Sequence, residues 1–131
     1  MVNSDGQVVI ITGASSGIGT ALAQAFSQRG SKVTLVARRL HRLREVARGC
    51  SGEVLIVAAD LVTESDRRSA ISRALDRWGR IDILFNNAGL GMYGDFLTTT
   101  KSDWRQLFEI NLFSAVFLTQ AVLPIMKTQG H

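Results

Sequence analysis

Between Val8 and Thr12 the chain reads VVIIT, five residues with no polar alternation, the pattern of a strand buried on both faces of a parallel sheet. Glycines 13, 17 and 19 interrupt the run. From there Ile18, Leu22, Ala25 and Phe26 recur at helical spacing, and Gly30 offers a stop. The same alternation then repeats. KVTLVA (32–37) predicts a second strand, Leu40–Arg48 a basic helix, and VLIVAA (54–59) a third strand. Glu64–Trp78 predicts a helix with Ala70, Ile71, Ala74, Leu75 and Trp78 on one face, closed by Gly79. IDILFNNA (81–88) reads as a fourth strand, followed by a glycine-containing loop and a long helix with Asp103 as its predicted N-cap. Pro124 lacks an amide hydrogen and is expected to kink or end that helix.

Strands alternating with helices of this length imply βαβ units, hence an α/β fold with a parallel sheet covered on both faces. The 131 residues suffice for one domain and not for two, and 46% apolar content with 20% charged residues is ordinary for a globular chain. Ile110–Met126 is the most apolar long stretch. Asn111, Gln120 and Pro124 interrupt it, and it is shorter than the roughly 20 residues of a membrane span, so it is expected to be a buried helix.

The net charge is +4, and much of the excess lies in Arg38, Arg39, His41, Arg42, Arg44 and Arg48. Two readings of that run stand, an anionic partner or a solvated helix face. Nucleic acid is disfavoured, because no aromatic residues for stacking are interleaved with the arginines. Cys50 is the only cysteine, so no intrachain disulfide framework exists, and no residues at metal-ligand spacing accompany it. MVNSDGQ has neither the basic nor the apolar region of a secretory signal. A reducing, cytoplasmic location is expected.

The glycines need a reason. A helix N-terminus carries partial positive charge and unpaired amide hydrogens, so a phosphate is stabilised there, provided no side chain keeps it away. Gly13 suits a tight turn, Gly17 and Gly19 allow close approach of ligand and strand, and Ser15 and Ser16 add hydroxyls. The competing reading is a turn that only lets a helix cross closely. No Gly-Lys-Ser or Gly-Lys-Thr follows, which excludes a Walker loop, and the spacing Gly13-xxx-Gly17-x-Gly19 is not GxGxxG.

That spacing, TGASSGIG, together with NNAG at Asn86–Gly89 and Asp60 after the third strand, resembles the short-chain dehydrogenase/reductase family over the whole chain. The resemblance implies a Rossmann-type doubly wound sheet of strand order 3-2-1-4. It also implies a nicotinamide dinucleotide whose pyrophosphate is wrapped by Gly13, Ser15, Ser16, Gly17, Ile18 and Gly19. Asp60 and Leu61 would flank the adenine, and Asn87, Ala88 and Gly89 would steady the sheet and touch the adenosine ribose. The end of the second strand bears on the choice of cofactor, because an acidic residue there binds the ribose 2′-hydroxyl of NAD. Ala37 stands in that place and Arg38 follows, which favours NADP(H) with Arg38 on the 2′-phosphate. Arg39 either assists or is simply solvated. Asn111 matches the asparagine of the family's catalytic tetrad, which helps hold a water in the proton relay; otherwise it serves only to satisfy backbone among apolar neighbours.

The pattern then departs from the family. The implied activity is hydride transfer between nicotinamide and a small carbonyl or alcohol substrate, using a serine and a YxxxK pair. Tyr93 is the only tyrosine, and Leu97 stands four residues on. The chain corresponds to about the first half of the family's usual domain and is expected to be inactive by itself, as a remnant of a longer oxidoreductase or as a dinucleotide-binding interaction module. An open edge at the fourth strand and an uncovered long helix predict self-association. Met92, Tyr93 and Phe96 are candidates for one apolar wall of a substrate pocket, or for ordinary loop packing.

Overall fold

The computed structural model describes residues 3–131. Four parallel strands, β1 (Val8–Thr12), β2 (Lys32–Ala37), β3 (Val54–Ala58) and β4 (Ile83–Phe85), form one sheet in the order β3-β2-β1-β4. The helices are α1 (Gly17–Gln28), α2 (Leu40–Arg48), α3 (Glu64–Trp78), α4 (Lys101–Phe108) and α5 (Ser114–Gln129), the last two joined by a π-helical turn, Glu109–Phe113. The doubly wound Rossmann-type sheet expected from the sequence is the observed architecture.

Every residue of β1 is buried, because successive side chains enter opposite layers. Val9 and Ile11 join Val33, Leu35, Ala23, Leu43 and Val46 beneath α1 and α2. Ile10 joins Val36, Val57, Ala70, Ala74, Leu118 and Val122 beneath α3 and α5. Each fully buried Val, Leu or Ile contributes roughly 1.5–3 kcal/mol of transfer free energy, so these two layers set the strand register.

Four local expectations are corrected. Strand β4 is three residues long, since beyond Phe85 the Asn87 and Ala88 amides leave the ladder for the Thr12 hydroxyl and the Asn86 side chain bonds Thr119. Asp103 is not the N-cap of α4: Thr100 is, with Asp103 as the third residue of a capping box, Thr100 Oγ1 accepting the Asp103 amide at 3.2 Å and the Asp103 carboxylate accepting the Thr100 amide at 2.9 Å. Hydrogen bonds from the Thr100 hydroxyl and backbone hold the Asp103 carboxyl below its usual range. Pro124 does not end α5, which runs on to Gln129; Pro124 and Gln120 lie on the exposed side, where water can take the carbonyl that proline leaves unpaired.

The long apolar helix is the fourth correction, for it is not buried. Only Ser114, Leu118 and Val122 of α5 are covered, while Leu112, Phe113, Val116, Phe117 and Leu123 are 40–49% exposed. The sheet is one strand wide beyond β1 on this side, so it shields a single stripe of the helix. By length and apolar composition alone, Lys101–Gln129 would also cross a membrane.

The N-terminal ends of β1 and β4 are tied by a buried carboxylate. Asp82, its side chain 1% exposed, accepts the Val8 amide at 2.8 Å, two bonds from Arg80 Nε at 2.9 and 3.0 Å and one from Arg80 Nη2 at 2.6 Å. His131 Nε2 lies 2.6 Å from the same group. Gln129 bonds both the amide and the carbonyl of Ile81, at 3.0 and 2.7 Å. Burial alone would push the Asp82 carboxyl up, but the bonds from Arg80, Val8 and His131, with the charge of Arg80, hold it below the usual carboxylate range.

Candidate functional site

A cleft of about 400 Å³ opens at the C-terminal ends of β1, β2 and β3, where the first helix begins and where ligands of open α/β sheets bind. Its wall comprises Gly13, Ser15, Ser16, Gly17 and Ile18 from the first turn, Arg38 and Arg39 after β2, Asp60 and Leu61 after β3, and Asn87 and Gly89 after β4. The structure therefore brings together segments that the sequence separates by more than seventy positions. Val36, Ala37, Ala59, Leu90 and Ile110 complete the lining.

Three of the predicted residues stand behind or apart from this wall. A Cβ on Gly19 would lie 2.2 Å from the Gly13 carbonyl oxygen and 2.8 Å from Asn87 Nδ2, so its lack of a side chain serves close packing. Ala88 packs beneath Gly13, whose own Cβ would come within 2.8 Å of the Ala88 Cα. Asn111, the third, lies in the π-helical turn. Gly17 differs from the packed glycines: at φ +55° nothing lies within 4 Å of the Cβ position, and the turn is open there. The two sequence readings of the glycines, close packing and ligand access, thus fall on different glycines.

In the first turn of α1 the Thr20 amide reaches the Ser16 carbonyl at 3.5 Å, while the amides of Gly17, Ile18 and Gly19 have no partner among the described residues. Ser16 precedes the helix in an extended conformation, no side chain caps it, and no acidic residue stands in the first turn. Ile18 is 72% exposed at the mouth of the cleft. Arg39 Nη2 donates to Ser15 Oγ at 3.3 Å, linking the turn after β2 to the glycine turn; Arg38 is exposed beside it.

Thr12, absent from the sequence-based site, organises the junction. Its buried hydroxyl donates to the Phe85 carbonyl at 3.1 Å and accepts the amides of Asn87 and Ala88, each at 3.0 Å. Asn87 Nδ2 returns to the carbonyls of Thr12 and Gly13 at 3.2 and 3.3 Å. A polar residue ending an otherwise apolar strand is the signal available in the sequence.

Asn111 is exposed, as are Phe108, Leu112 and Phe113 around it, so its expected burial is corrected. Its carboxamide pairs with the backbone of Leu90 in both directions: Oδ1 accepts the Leu90 amide at 2.6 Å and Nδ2 donates to the Leu90 carbonyl at 2.8 Å. This fixes the start of the loop after NNAG. Of the loop residues, Tyr93 is 99% exposed and Phe96 packs edge-on against Trp104 at 5.9 Å.

The short chain dehydrogenase family model matches residues 7–131, and the chain belongs to that family. It is 42% identical over 96% of its length to an 11-beta-hydroxysteroid dehydrogenase from Pinus massoniana, of which it covers 37%. Among solved structures it is similar to a 3-ketoacyl-(acyl-carrier-protein) reductase from Brucella melitensis, complexed with NADH, at a TM-score of 0.93 and 33% identity, covering 97% of this chain and 53% of that one. It is also similar to L-sorbose reductase from Gluconobacter frateurii, complexed with NADPH and L-sorbose, at 0.90 and 35%, covering 96% and 49%. The chain thus spans between about a third and a half of these three proteins.

Proposed function

We propose that residues 1–131 form the NADP(H)-binding part of an oxidoreductase that moves hydride between the nicotinamide and a carbonyl or alcohol substrate. The observation that carries this reading is the open, uncapped first turn of α1 at the wall of a cleft that also holds Arg38 and Arg39. Such a donor set fits a dinucleotide: backbone amides and a helix dipole for the pyrophosphate, and cations beside the ribose. Neighbouring structures carry NADH in one case and NADPH in another, which supports the class of cofactor. The preference for NADP(H) rests on Ala37 and Arg38, since no carboxylate stands at the end of β2 to accept a ribose hydroxyl and a guanidinium fork suits a phosphate.

In this reading Gly13–Gly19 hold the diphosphate, Asp60 and Leu61 flank the adenine, and Asn87, Ala88 and Gly89 approach the adenosine ribose. When bound, the nicotinamide supplies or accepts hydride. Asn111 keeps Leu90 in register beside the cleft, and its second amide hydrogen and remaining lone pair are what it can offer a relay water. Tyr93, 99% exposed, has Leu97 and not a lysine four residues on, so it does not form the family's tyrosine–lysine pair. Residues 1–131 therefore bind and orient the cofactor without turning it over.

Calorimetric titration with NADPH and NADH tests this. The chain should prefer NADPH, and Arg38→Ala should weaken NADPH by about tenfold while leaving NADH nearly unchanged. An unchanged ratio would overturn the NADP(H) assignment, and failure to bind either nucleotide would overturn the dinucleotide reading.

A further inference from the structure

Asp60 and Leu61 sit in the short connection between β3 and α3. That connection has a few bonds of its own: the Thr63 amide donates to the Asp60 carbonyl at 3.0 Å, and the Val62 amide to Asp60 Oδ1 at 3.1 Å. The first turns of α3 supply the rest. Asp66 Oδ2 accepts the Asp60 amide at 2.7 Å, and Arg67 Nη1 donates to the carbonyls of Leu61 and Val62 at 2.8 and 2.9 Å. One nitrogen serving two successive carbonyls fixes the tilt of the Leu61–Val62 and Val62–Thr63 peptide planes.

Arg67 is itself held. Its guanidinium carbon lies 5.1 Å from the centre of the Phe117 ring on α5, and the residue is half-buried in the groove between the two helices. Glu64, one turn earlier, pairs with Arg68 at 2.7 Å instead, and among the described residues no ion pair engages Arg67. Both Nη1 hydrogens are committed to backbone. A lysine would present a single rotating ammonium where this planar fork is pre-set.

We infer that Arg67 is a positioning residue for the adenosine end of the cleft. It fixes the Leu61–Val62 peptide, and so the rim formed by Asp60 and Leu61, without touching the nucleotide. Asp66 supports the same turn from its other end. The inference rests on the dinucleotide reading above for the identity of the ligand, though not for the geometry of the loop.

Two variants separate the functions of the side chain. Arg67→Met keeps an apolar stem against Phe117 and removes the donors, and Arg67→Lys restores the charge with one flexible donor. Titrations use NADPH and adenosine 2′,5′-bisphosphate, with hydrogen exchange followed by mass spectrometry on the free chain. For R67M both ligands should weaken by the same factor, about tenfold, because the defect lies wholly at the adenosine end. R67K should recover part of the loss. The segment 60–63 should exchange faster in R67M while Gly13–Gly19 is unchanged, with thermal melting close to that of the unaltered chain.

Wild-type affinity together with wild-type exchange in R67M would overturn the inference. So would an NADPH loss much larger than the bisphosphate loss, which would place the defect elsewhere. If the unaltered chain binds neither nucleotide, the ligand reading fails and takes the functional half of the inference with it, whereas the exchange result still decides the role of Arg67 in the loop. Should R67M not fold, R67K carries the same comparison, and full affinity with unchanged exchange would overturn it.

Discussion

The two ends of the sheet are built on opposite principles. At the N-terminal ends of β1 and β4 a buried carboxylate gathers Arg80, the Val8 amide and His131, and Gln129 closes on Ile81, so donors and acceptors are paired. At the C-terminal ends the junction is also tightly bonded, but by neutral groups, Thr12 and Asn87. Facing the cleft, the amides of α1 are left uncapped and Arg38 stands exposed. The difference teaches where charge is spent on stability and where donors are left open: at one end the buried carboxylate is neutralised internally by Arg80 and backbone, and at the other the amides opening α1 face the cleft unpaired.

Three substitutions sharpen that contrast. The largest effect is expected at the cleft end, from Gly19→Ala. Its methyl would press on the Gly13 carbonyl oxygen, Asn87 Nδ2 and the Ala14 Cα, 2.2, 2.8 and 2.9 Å away, two of them backbone, so the turn must open at a cost of about 3 kcal/mol. Urea unfolding should show the loss, and nucleotide affinity should fall with it. A stable variant with normal affinity would mean that the turn is softer than its packing implies.

At the opposite end, Asp82→Asn should cost about 2–3 kcal/mol at neutral pH and leave nucleotide affinity nearly unchanged. The pH dependence has a definite sign. The folded Asp82 carboxyl is held below its ordinary value of about 3.9, so its contribution is complete above that value and is lost as pH falls towards the folded value. The stability gap between the unaltered chain and D82N should therefore narrow below about pH 4. A gap that stayed constant from neutral pH to about pH 3 would show that the carboxylate's charge is not what ties the strands. The smallest of the three effects, about 2 kcal/mol, is expected for Thr12→Val, which preserves shape but leaves the Asn87 and Ala88 amides without their acceptor. Here stability and nucleotide affinity should fall together, since the same hydroxyl carries the NNAG segment to the cleft.

Much of this is legible in the chain and some is not, for reasons particular residues make plain. KVTLVA, Leu40–Arg48 and Glu64–Trp78 are observed with the boundaries their periodicity predicts, because each buries one face against its own neighbours in the sheet. The fourth strand reads too long because Asn86–Ala88 follow the apolar run ILF with no glycine or proline to stop it, while the Asn87 and Ala88 amides go sideways to Thr12. Asp103 reads as a cap because a capping box places an acceptor at both of its ends. The burial of α5 is overstated by its composition, because an apolar helix reports what it could bury, while neighbouring elements decide how much of it is covered.

Sequence alone determined the order of strands and helices, the parallel sheet and the three glycines at the first helix, since periodicity and residue type act over a few neighbouring positions. Only the tertiary structure decided that Gly19 serves packing while Gly17 lies open, that Asn111 grips Leu90, and that Arg67 reaches back to the turn after β3. Those assignments depend on distances of a few ångströms between distant positions, and such distances exist only once the two core layers have fixed how the elements lie against one another.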